Sequence, residues 1–203
     1  MLHVARVAHR VGLPMPISRG ECWLCKYSHG GPDFGFEDHG GIMDDKGKYL
    51  CHCKVQAPLL YHTWTCHLST LSCGMFFRRR LVDPGGFLFN ANYRCGGDGE
   101  WMVRLLRAGV RMAAMGEFTS VFTRTDANLS RGARAREEWR RLRFTAPAWA
   151  RAVSPLWVAH HRFRRWRAGA YRQSPFEFSL FTHDSPDHRV CRQVEKPLFS
   201  HNW

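Results

Sequence analysis

The clearest candidate for chemistry in this sequence is a glycine-rich stretch that carries two carboxylates. The residues GGDGEW at 96–101 place Asp98 and Glu100 where an amphipathic segment begins. A carboxylate held at such a point, with glycines that leave room for a substrate, can act as a general base. The same two residues can instead serve only the helix, Asp98 as its N-cap and Glu100 as a first-turn anion that complements the helix dipole. The stretch by itself leaves both interpretations open.

Eight cysteines suggest a second kind of chemistry, a structural zinc site. Cys22 and Cys25 form a C-x-x-C pair, and Cys51 and Cys53 form a C-x-C pair. Two close thiolate pairs can complete a tetrahedral zinc site, but the second spacing is not that of the usual knuckle. The alternative is a set of small buried thiols that behave as hydrophobic side chains. We predict that the four sulfurs do not converge on one ion, and we assign no metal ligand in this chain.

The chain is basic, and most of the excess positive charge lies in its last third. Its 203 residues have a net charge of +13, and residues 131–203 carry 15 Lys and Arg against 6 Asp and Glu. We expect residues 148–167 to form one amphipathic helix that docks Trp157 and Trp166 against the protein or a membrane surface and turns its arginines outward. An Arg-rich helix with aromatic residues is equally typical of nucleic-acid binding or of a solvated face.

The elements that must position the candidate residues follow from the hydrophobic pattern. Residues 34–36 indicate the end of a strand, and the sequence around 44–47 indicates the turn of a β-hairpin. Residues 72–77 indicate a buried strand that is followed by a brief helical turn. A helix is predicted from an Asp98 cap to a stop at Gly109, with residues 111–124 as the next strand.

The basic third of the chain is predicted to contain helices and then a β segment. Ser130 is expected to cap a helix that runs to about Phe144, and Pro147 is expected to restart a helix that reaches Gly169. Residues 176–182 alternate large apolar and smaller side chains, and residues 189–194 are expected to pair with them. Residues 1–32 have little periodicity and are interpreted as poorly organised. This order of elements predicts an α/β fold with a mixed sheet.

The sequence contains no candidate for a membrane-spanning helix. No run of about 18 apolar residues occurs, and the first twenty residues scatter Arg and His through what a signal peptide would keep apolar. We therefore expect a cytoplasmic location, with peripheral contact at the inner face of the membrane through the basic helix.

A series of short segments follows one another in a characteristic order. It comprises IMDDKGKY at 42–49, LSCGMFFRR at 71–79, GGF at 85–87, GDGEWMVRL at 97–105, Gly109 and NLS at 128–130. This order resembles the second half of a family 2 glycosyltransferase of the GT-A fold, over about residues 33–130. The resemblance implies a partial GT-A-like mixed sheet flanked by helices, with a C-terminal helical and β extension. It divides the chain into an N-terminal segment 1–32, an acceptor-side catalytic half 33–130 and a basic tail 131–203.

The resemblance also implies roles for individual residues. Asp98 matches the catalytic base, which removes a proton from an acceptor hydroxyl as that hydroxyl attacks a nucleotide sugar with inversion. Glu100, Trp101, Arg78 and Arg79 are then expected to bind substrate. The implied partners are a nucleotide-sugar donor and a glycan or lipid-linked acceptor, without nucleic acid, and the implied cofactor is Mg²⁺ or Mn²⁺.

The sequence departs from the family pattern at several points. Residues 1–32 contain no counterpart of the nucleotide-binding half or of its acidic metal-binding motif. Gly97 stands where an acidic residue often precedes the base, and Thr125 stands where a histidine commonly assists the metal. We therefore expect a truncated or incomplete glycosyltransferase. The alternative function is a basic, zinc-stabilised nucleic-acid-binding module.

Overall fold

The computed structural model describes residues 34–37, 39–44, 48–83, 85–115, 121–124, 132–172, 174–182 and 184–198. This part of the chain is a mixed α/β structure with small sheets and five helices, as the order of elements predicted. The expectations for residues 1–32, Cys22, Cys25, Thr125 and Ser130 lie outside the described residues.

In the described residues, eight short strands form three separate sheets. The strands are β1 Phe34–Glu37, β2 His39–Met43, β3 Tyr49–Lys54, β4 Met75–Phe77, β5 Met112–Met115, β6 Val121–Thr123, β7 Phe176–Thr182 and β8 Ser185–Val194. Strand β1 pairs antiparallel with β4 and parallel with β5, and β2 pairs antiparallel with β3 and parallel with β6. The pairing is therefore mixed, as predicted. It is divided between two three-stranded sheets, because β1 and β2 are adjacent in the chain but pair with different strands, and β7 and β8 form a third sheet.

Both predicted β-hairpin pairings are confirmed. Strands β2 and β3 pair antiparallel, with Met43 opposite Tyr49, and the Lys48 amide donates to Asp44 Oδ1 at 2.8 Å at the start of the turn. Strands β7 and β8 pair with Phe176 opposite Val194. The strand predicted over 72–77 is shorter than expected, since residues 72–74 form a 3-10 turn. The helical turn expected after it is present at Arg79–Leu81.

The five helices are α1 Leu60–Thr65, α2 Gly97–Arg107, α3 Ala133–Phe144, α4 Ala148–Ala152 and α5 Ser154–Arg167. Helix α2 confirms the helix predicted after the glycine-rich stretch, but Gly96 is its N-cap and Asp98 lies inside its first turn. Its end follows the Schellman pattern, since Gly109 has a φ of +71° and Val110 donates to the Leu105 carbonyl at 3.1 Å. The glycine stop at residue 109 is thus confirmed.

The single helix predicted from Pro147 to Gly169 is wrong, because two helices occupy this range. Helix α4 ends at Ala152 and α5 begins at Ser154, with Pro155 in its first turn. A proline there has no amide to donate, and its ring clashes with the carbonyl four residues earlier, so one continuous helix cannot form. Helix α3 likewise begins later than expected, at Ala133 with Gly132 as its N-cap.

The outward orientation expected for the arginines of α5 is wrong for two of them. Arg165 is buried, with its guanidinium 5.3 Å from the centre of the Tyr171 ring. Arg164 donates to the Ala57 carbonyl at 3.0 Å. Trp157 docks on the protein as expected and stacks on Tyr61, but Trp166 is largely exposed.

Helix α2 is the centre of the core. Its residues Trp101, Met102 and Leu105 are buried with Met75 and with apolar residues of the loops around it, so the apolar face expected for this helix is confirmed. On its other side, Val103 packs with Trp64 of α1 and Leu142 of α3. None of the helices in the described part of the chain has the length and apolar character needed to cross a membrane.

Candidate functional site

Asp98 lies in the first turn of α2, beside the 3-10 turn that contains Ser72. Its Oδ1 accepts a hydrogen bond from the Gly99 amide at 2.8 Å, and the Ser72 hydroxyl also bonds to its carboxylate. Burial raises the pKa of Asp98, and these hydrogen bonds oppose that rise only in part. Within the described residues no Lys or Arg forms an ion pair with Asp98.

The glycines before and after Asp98 do not all leave open space. A Cβ at Gly99 would lie 2.7 Å from Cζ2 of Trp139, so the indole ring of α3 occupies the position where a side chain would be. At Gly97 the nearest atom is 3.7 Å away, which is ordinary van der Waals contact. The expectation that the glycines make room for a substrate is therefore wrong at residue 99, where glycine is needed for close helix packing.

The approach to α2 is fixed by Glu138, a buried residue of α3 that the sequence analysis did not select. Its carboxylate accepts hydrogen bonds from the amides of Arg94, Cys95 and Gly96 at 3.0, 2.7 and 2.9 Å. Arg134 adds a hydrogen bond to Oε1 at 3.0 Å. Burial alone would raise the pKa of Glu138, but the four hydrogen bonds outweigh it and lower the pKa to about 2. No spacing rule links residues so far apart in the sequence, so the pattern held no signal for this contact.

Glu100 and Trp101, both expected at the substrate side, are engaged within the protein. The Glu100 carboxylate receives two hydrogen bonds from Arg104, at 2.8 and 3.1 Å, and Arg104 also donates to the Leu88 carbonyl at 2.6 Å. Trp101 is 1% exposed, and its Nε1 donates to the Phe87 carbonyl at 2.6 Å. Trp101 therefore packs the core, and Glu100 fixes the first turn of the helix to the next turn.

The two arginines expected on the phosphate side differ in their surroundings. Arg79 is exposed and forms an ion pair with Asp83 at 3.1 Å, whereas Arg78 is half-buried just after β4. An exposed ion pair of this kind contributes little to stability, so the fold does not depend strongly on Arg79. Among the four cysteines whose spacing suggested a zinc site, Cys51 is buried against Ile42. The prediction that the four sulfurs do not meet stays a prediction, because Cys22, Cys25 and the side chain of Cys53 are outside the described part.

A cluster of three histidines is the feature that the sequence analysis missed. His62 of α1, His67 just after α1 and His161 of α5 bring their ligand atoms within 4.8 Å of one another. The described residues contain no other group of three or more potential metal ligands so close together, and this one has no carboxylate. Mg²⁺ and Mn²⁺ prefer oxygen ligands, so this histidine cluster does not fit the ion that the family resemblance implies.

Comparisons of the chain with protein-family models, with curated proteins and with solved structures found no match. The function must therefore be inferred from the geometry of the chain's own residues.

Proposed function

We propose that this chain provides the acceptor-side catalytic unit of an inverting glycosyltransferase, with Asp98 as the general base. The observation that carries the proposal is the state of Asp98 itself. It is a half-buried carboxylate with a raised pKa, without an ion-pair partner in the described residues, at the N-terminus of a helix anchored by Glu138. Carboxylates that serve only as caps or surface charges do not need a raised pKa, whereas a general base gains basicity from it.

In the proposed reaction an acceptor hydroxyl oxygen attacks the anomeric carbon of a nucleotide sugar. The Asp98 carboxylate takes the hydroxyl proton while the bond from the anomeric carbon to the diphosphate oxygen breaks. The nucleoside diphosphate leaves with that electron pair, and the configuration at the anomeric carbon inverts. The first-turn amides and the dipole of α2 favour the ionised carboxylate and oppose, in part, the effect of burial. We assign no step to a metal ion.

The neighbouring residues then take positioning or binding roles. The ion pair between Glu100 and Arg104 holds the first turn of α2, and the buried Trp101 ring holds the helix against β4 through Phe77, at 5.0 Å between ring centres. Both residues therefore position Asp98. Arg79 is the exposed cation proposed to meet the donor diphosphate, and Arg78 beside it is proposed for the same role.

The test is release of nucleoside diphosphate from a panel of UDP-, GDP- and dTDP-sugars, with simple glycans as acceptors. Asp98→Asn should lower the turnover by about 10² to 10⁴, the usual contribution of a general base. Asp187→Asn is the matched control, because Asp187 is an exposed carboxylate of β8 that takes no part in the proposed site. Equal turnover in the two variants, or no turnover of any donor by the unmodified chain, contradicts the proposal.

An anionic membrane surface at the cytoplasmic face is the proposed partner, which fits a lipid-linked acceptor. Leu156, Phe163 and Trp166 of α5 are 65, 54 and 63% exposed, and at 3.6 residues per turn they fall within about a quarter of the helix circumference. Exposed Arg162 and Arg167 flank this stripe. An apolar stripe with flanking cations is typical of a helix that lies in the membrane interface. Because Arg164 and Arg165 turn toward the protein, fewer cations remain for a nucleic-acid backbone, which favours the membrane over nucleic acid.

A further inference from the structure

We propose that His62, His67 and His161 form a binding site for a divalent transition-metal ion of the zinc class. The ion would fasten α1 and the loop that follows it to α5. The inference is separate from glycosyl transfer. It rests on the position of the three rings, on their burial and on the lack of a hydrogen-bond partner for Nε2 of His62 and Nε2 of His67 in the described part of the chain.

The three side chains come together from distant parts of the sequence. The ring centres of His62 and His161 are 4.3 Å apart, those of His62 and His67 are 4.5 Å apart, and those of His67 and His161 are 5.4 Å apart. Zinc holds imidazole nitrogens at about 2.0–2.1 Å in tetrahedral geometry, which separates two such nitrogens by about 3.4 Å. The ligand atoms lie within 4.8 Å of one another, so each pair must close by no more than about 1.4 Å to reach that spacing.

The buried nitrogens lack the hydrogen bonds that burial normally demands. His62 is 2% exposed and His161 is 4% exposed. Nε2 of His62 and Nε2 of His67 are both buried, and neither has a hydrogen-bond partner in the described part of the chain. A buried polar atom without a partner is costly, and native proteins rarely keep two side by side. A metal ion bound between these rings would satisfy them.

The electrostatic surroundings keep the three imidazoles neutral, which is the form that binds metal. Burial, with further lowering by His67, Arg164 and His160, brings the pKa of His62 to about 4. Burial, followed by His62 and His67 and then by Arg165 and Arg164, brings the pKa of His161 to about 3, and burial also lowers the pKa of His67. At neutral pH the cluster therefore offers lone pairs to a metal ion, with no proton to displace from them.

Ligand chemistry then selects the class of ion. Imidazole nitrogen suits Zn²⁺, Cu²⁺, Ni²⁺ and Co²⁺, and it binds Mg²⁺ and Ca²⁺ poorly. Three nitrogens leave the fourth tetrahedral position open. The groups that act on the cluster from α5 are His160, Arg164 and Arg165, and they are cationic or neutral. They favour a small anion, such as hydroxide or chloride, as the fourth ligand.

Metal binding requires one local rearrangement. The rings of His62 and His161 stack with an interplanar angle of 18°, whereas the lone pair of each nitrogen lies in the plane of its own ring. The two rings must therefore tilt out of the stack to point at one ion. The alternative to metal binding is that the three neutral rings keep this packing, with His62 stacked on His161 and His67 edge-on to both.

The experiment uses the full chain, stripped of metal and kept reduced, and titrated with ZnCl₂ against a chromophoric chelator. The unmodified chain should bind one tight equivalent. Loss of a residue that only hydrogen-bonds to a metal ligand weakens metal binding by roughly 10- to 100-fold. His67→Gln and His161→Gln each remove a ligand, so each should weaken zinc binding by more than that. His160→Gln is the matched control, because His160 is the exposed neighbour of His161 on the same helix. It should bind zinc like the unmodified chain.

A second measurement separates metal ligation from folding and from the cysteines. Zn²⁺ should raise the melting temperature of the unmodified chain and of His160→Gln, but not that of His67→Gln, which removes the least buried ring of the cluster. Co²⁺ should give the visible absorption of a tetrahedral site without a thiolate charge-transfer band. The proposal is overturned if zinc does not bind, if binding survives both His→Gln changes, or if Cys51→Ser abolishes it. None of these readouts depends on glycosyl transfer.

Discussion

The Glu138 carboxylate accepts a hydrogen bond from the Gly96 amide at 2.9 Å, and this contact ties helix α3 to the residue at which helix α2 begins. Two further amides of the same loop, those of Arg94 and Cys95, donate to the same carboxylate. The loop therefore has its own acceptor from a distant helix. Asp98 accepts the Gly99 amide inside the first turn of α2, and the loop that leads into the helix does not depend on it.

Glu138→Gln should lower the free energy of unfolding by about 1–3 kcal/mol, because hydrogen bonds to a buried charged group are worth more than those to a neutral amide. Glu137→Gln is the control. Glu137 is exposed and pairs only with Arg140, so its loss should cost less than about 1 kcal/mol. Chemical denaturation of both variants at neutral pH measures the difference. Equal stability of the two variants would show that the Glu138 contact does not hold the loop.

Gly99→Ala should be destabilising although alanine favours helices. The added methyl group would meet the Trp139 ring at 2.7 Å, and overpacking of this kind costs about 1–3 kcal/mol. Gly97→Ala, two residues earlier, meets nothing closer than 3.7 Å and should be neutral or slightly stabilising. Melting temperatures of the pair test the prediction. A stable Gly99→Ala variant would mean that Trp139 moves aside at little cost.

Asp98→Asn should leave stability unchanged or raise it by up to about 1 kcal/mol, while it removes the proposed activity. The folded-state pKa of Asp98 is raised above its unfolded value, so stability is lost as pH rises through the folded pKa and the ionised carboxylate is a cost at neutral pH. Thermal melts and turnover assays of the variant distinguish a catalytic role of Asp98 from a role in helix stability. A clear loss of stability would indicate that Asp98 serves the helix.

The acid limb of the turnover profile is a separate consequence of the same group. Turnover should fall as the pH drops through the raised pKa of Asp98, because the base must be ionised to accept a proton. The midpoint should therefore lie above the ordinary value for an aspartate. A profile that is flat down to the ordinary aspartate range would argue against Asp98 as the base.

Stability in the absence of metal should fall as the pH drops from 6.5 toward 4. His62 and His161 have folded pKa values of about 4 and about 3, so in this window the unfolded chain binds protons that the folded chain does not. Each such histidine contributes a slope of about 1.4 kcal/mol per pH unit. Arg164 opposes protonation of both histidines and Arg165 that of His161, whereas the exposed His160 has only the smallest of these effects, on His62.

The measurement is the free energy of unfolding across that window for the unmodified chain, His161→Gln and His160→Gln. His161→Gln should show the smaller slope, and His160→Gln should follow the unmodified chain. Glu138 adds its own loss only at lower pH, as the pH falls from its unfolded value of 4.5 to about 2, so the two effects are separable. Identical slopes in all three proteins would contradict the neutral state of His161.

The exposed stripe of α5 should bind the chain to anionic vesicles but not to neutral ones, and high salt should release it. Each Lys or Arg near such a surface contributes about 1 kcal/mol. The double variant Phe163→Ser and Trp166→Ser should weaken the binding, whereas Leu198→Ser removes an equally exposed leucine away from the stripe and should not. Sedimentation with vesicles is the test. Equal recovery in the supernatant with both lipids would reject the membrane partner.

Local rules in the sequence determined a good part of the fold. The glycine at residue 109 has a positive φ and ends α2, because only a residue without Cβ takes that conformation cheaply. The turn after Met43 and the alternating pattern after residue 175 predicted two antiparallel pairings that the structure contains. Pro155 indicates the break between α4 and α5, and the prediction of one helix over 148–167 did not take it into account. These features depend on backbone geometry and on hydrogen bonds between near neighbours.

The tertiary structure alone decided which distant groups meet. The division of the strands into two sheets, the indole of Trp139 over Gly99, and the carboxylate of Glu138 under the start of α2 all join segments far apart in the chain. The same holds for His62, His67 and His161, whose spacing matches no ligand motif until α1 packs against α5. Periodicity fixes the face on which a side chain lies along its own element, but its partner depends on how the elements pack, and a linear pattern does not encode that choice.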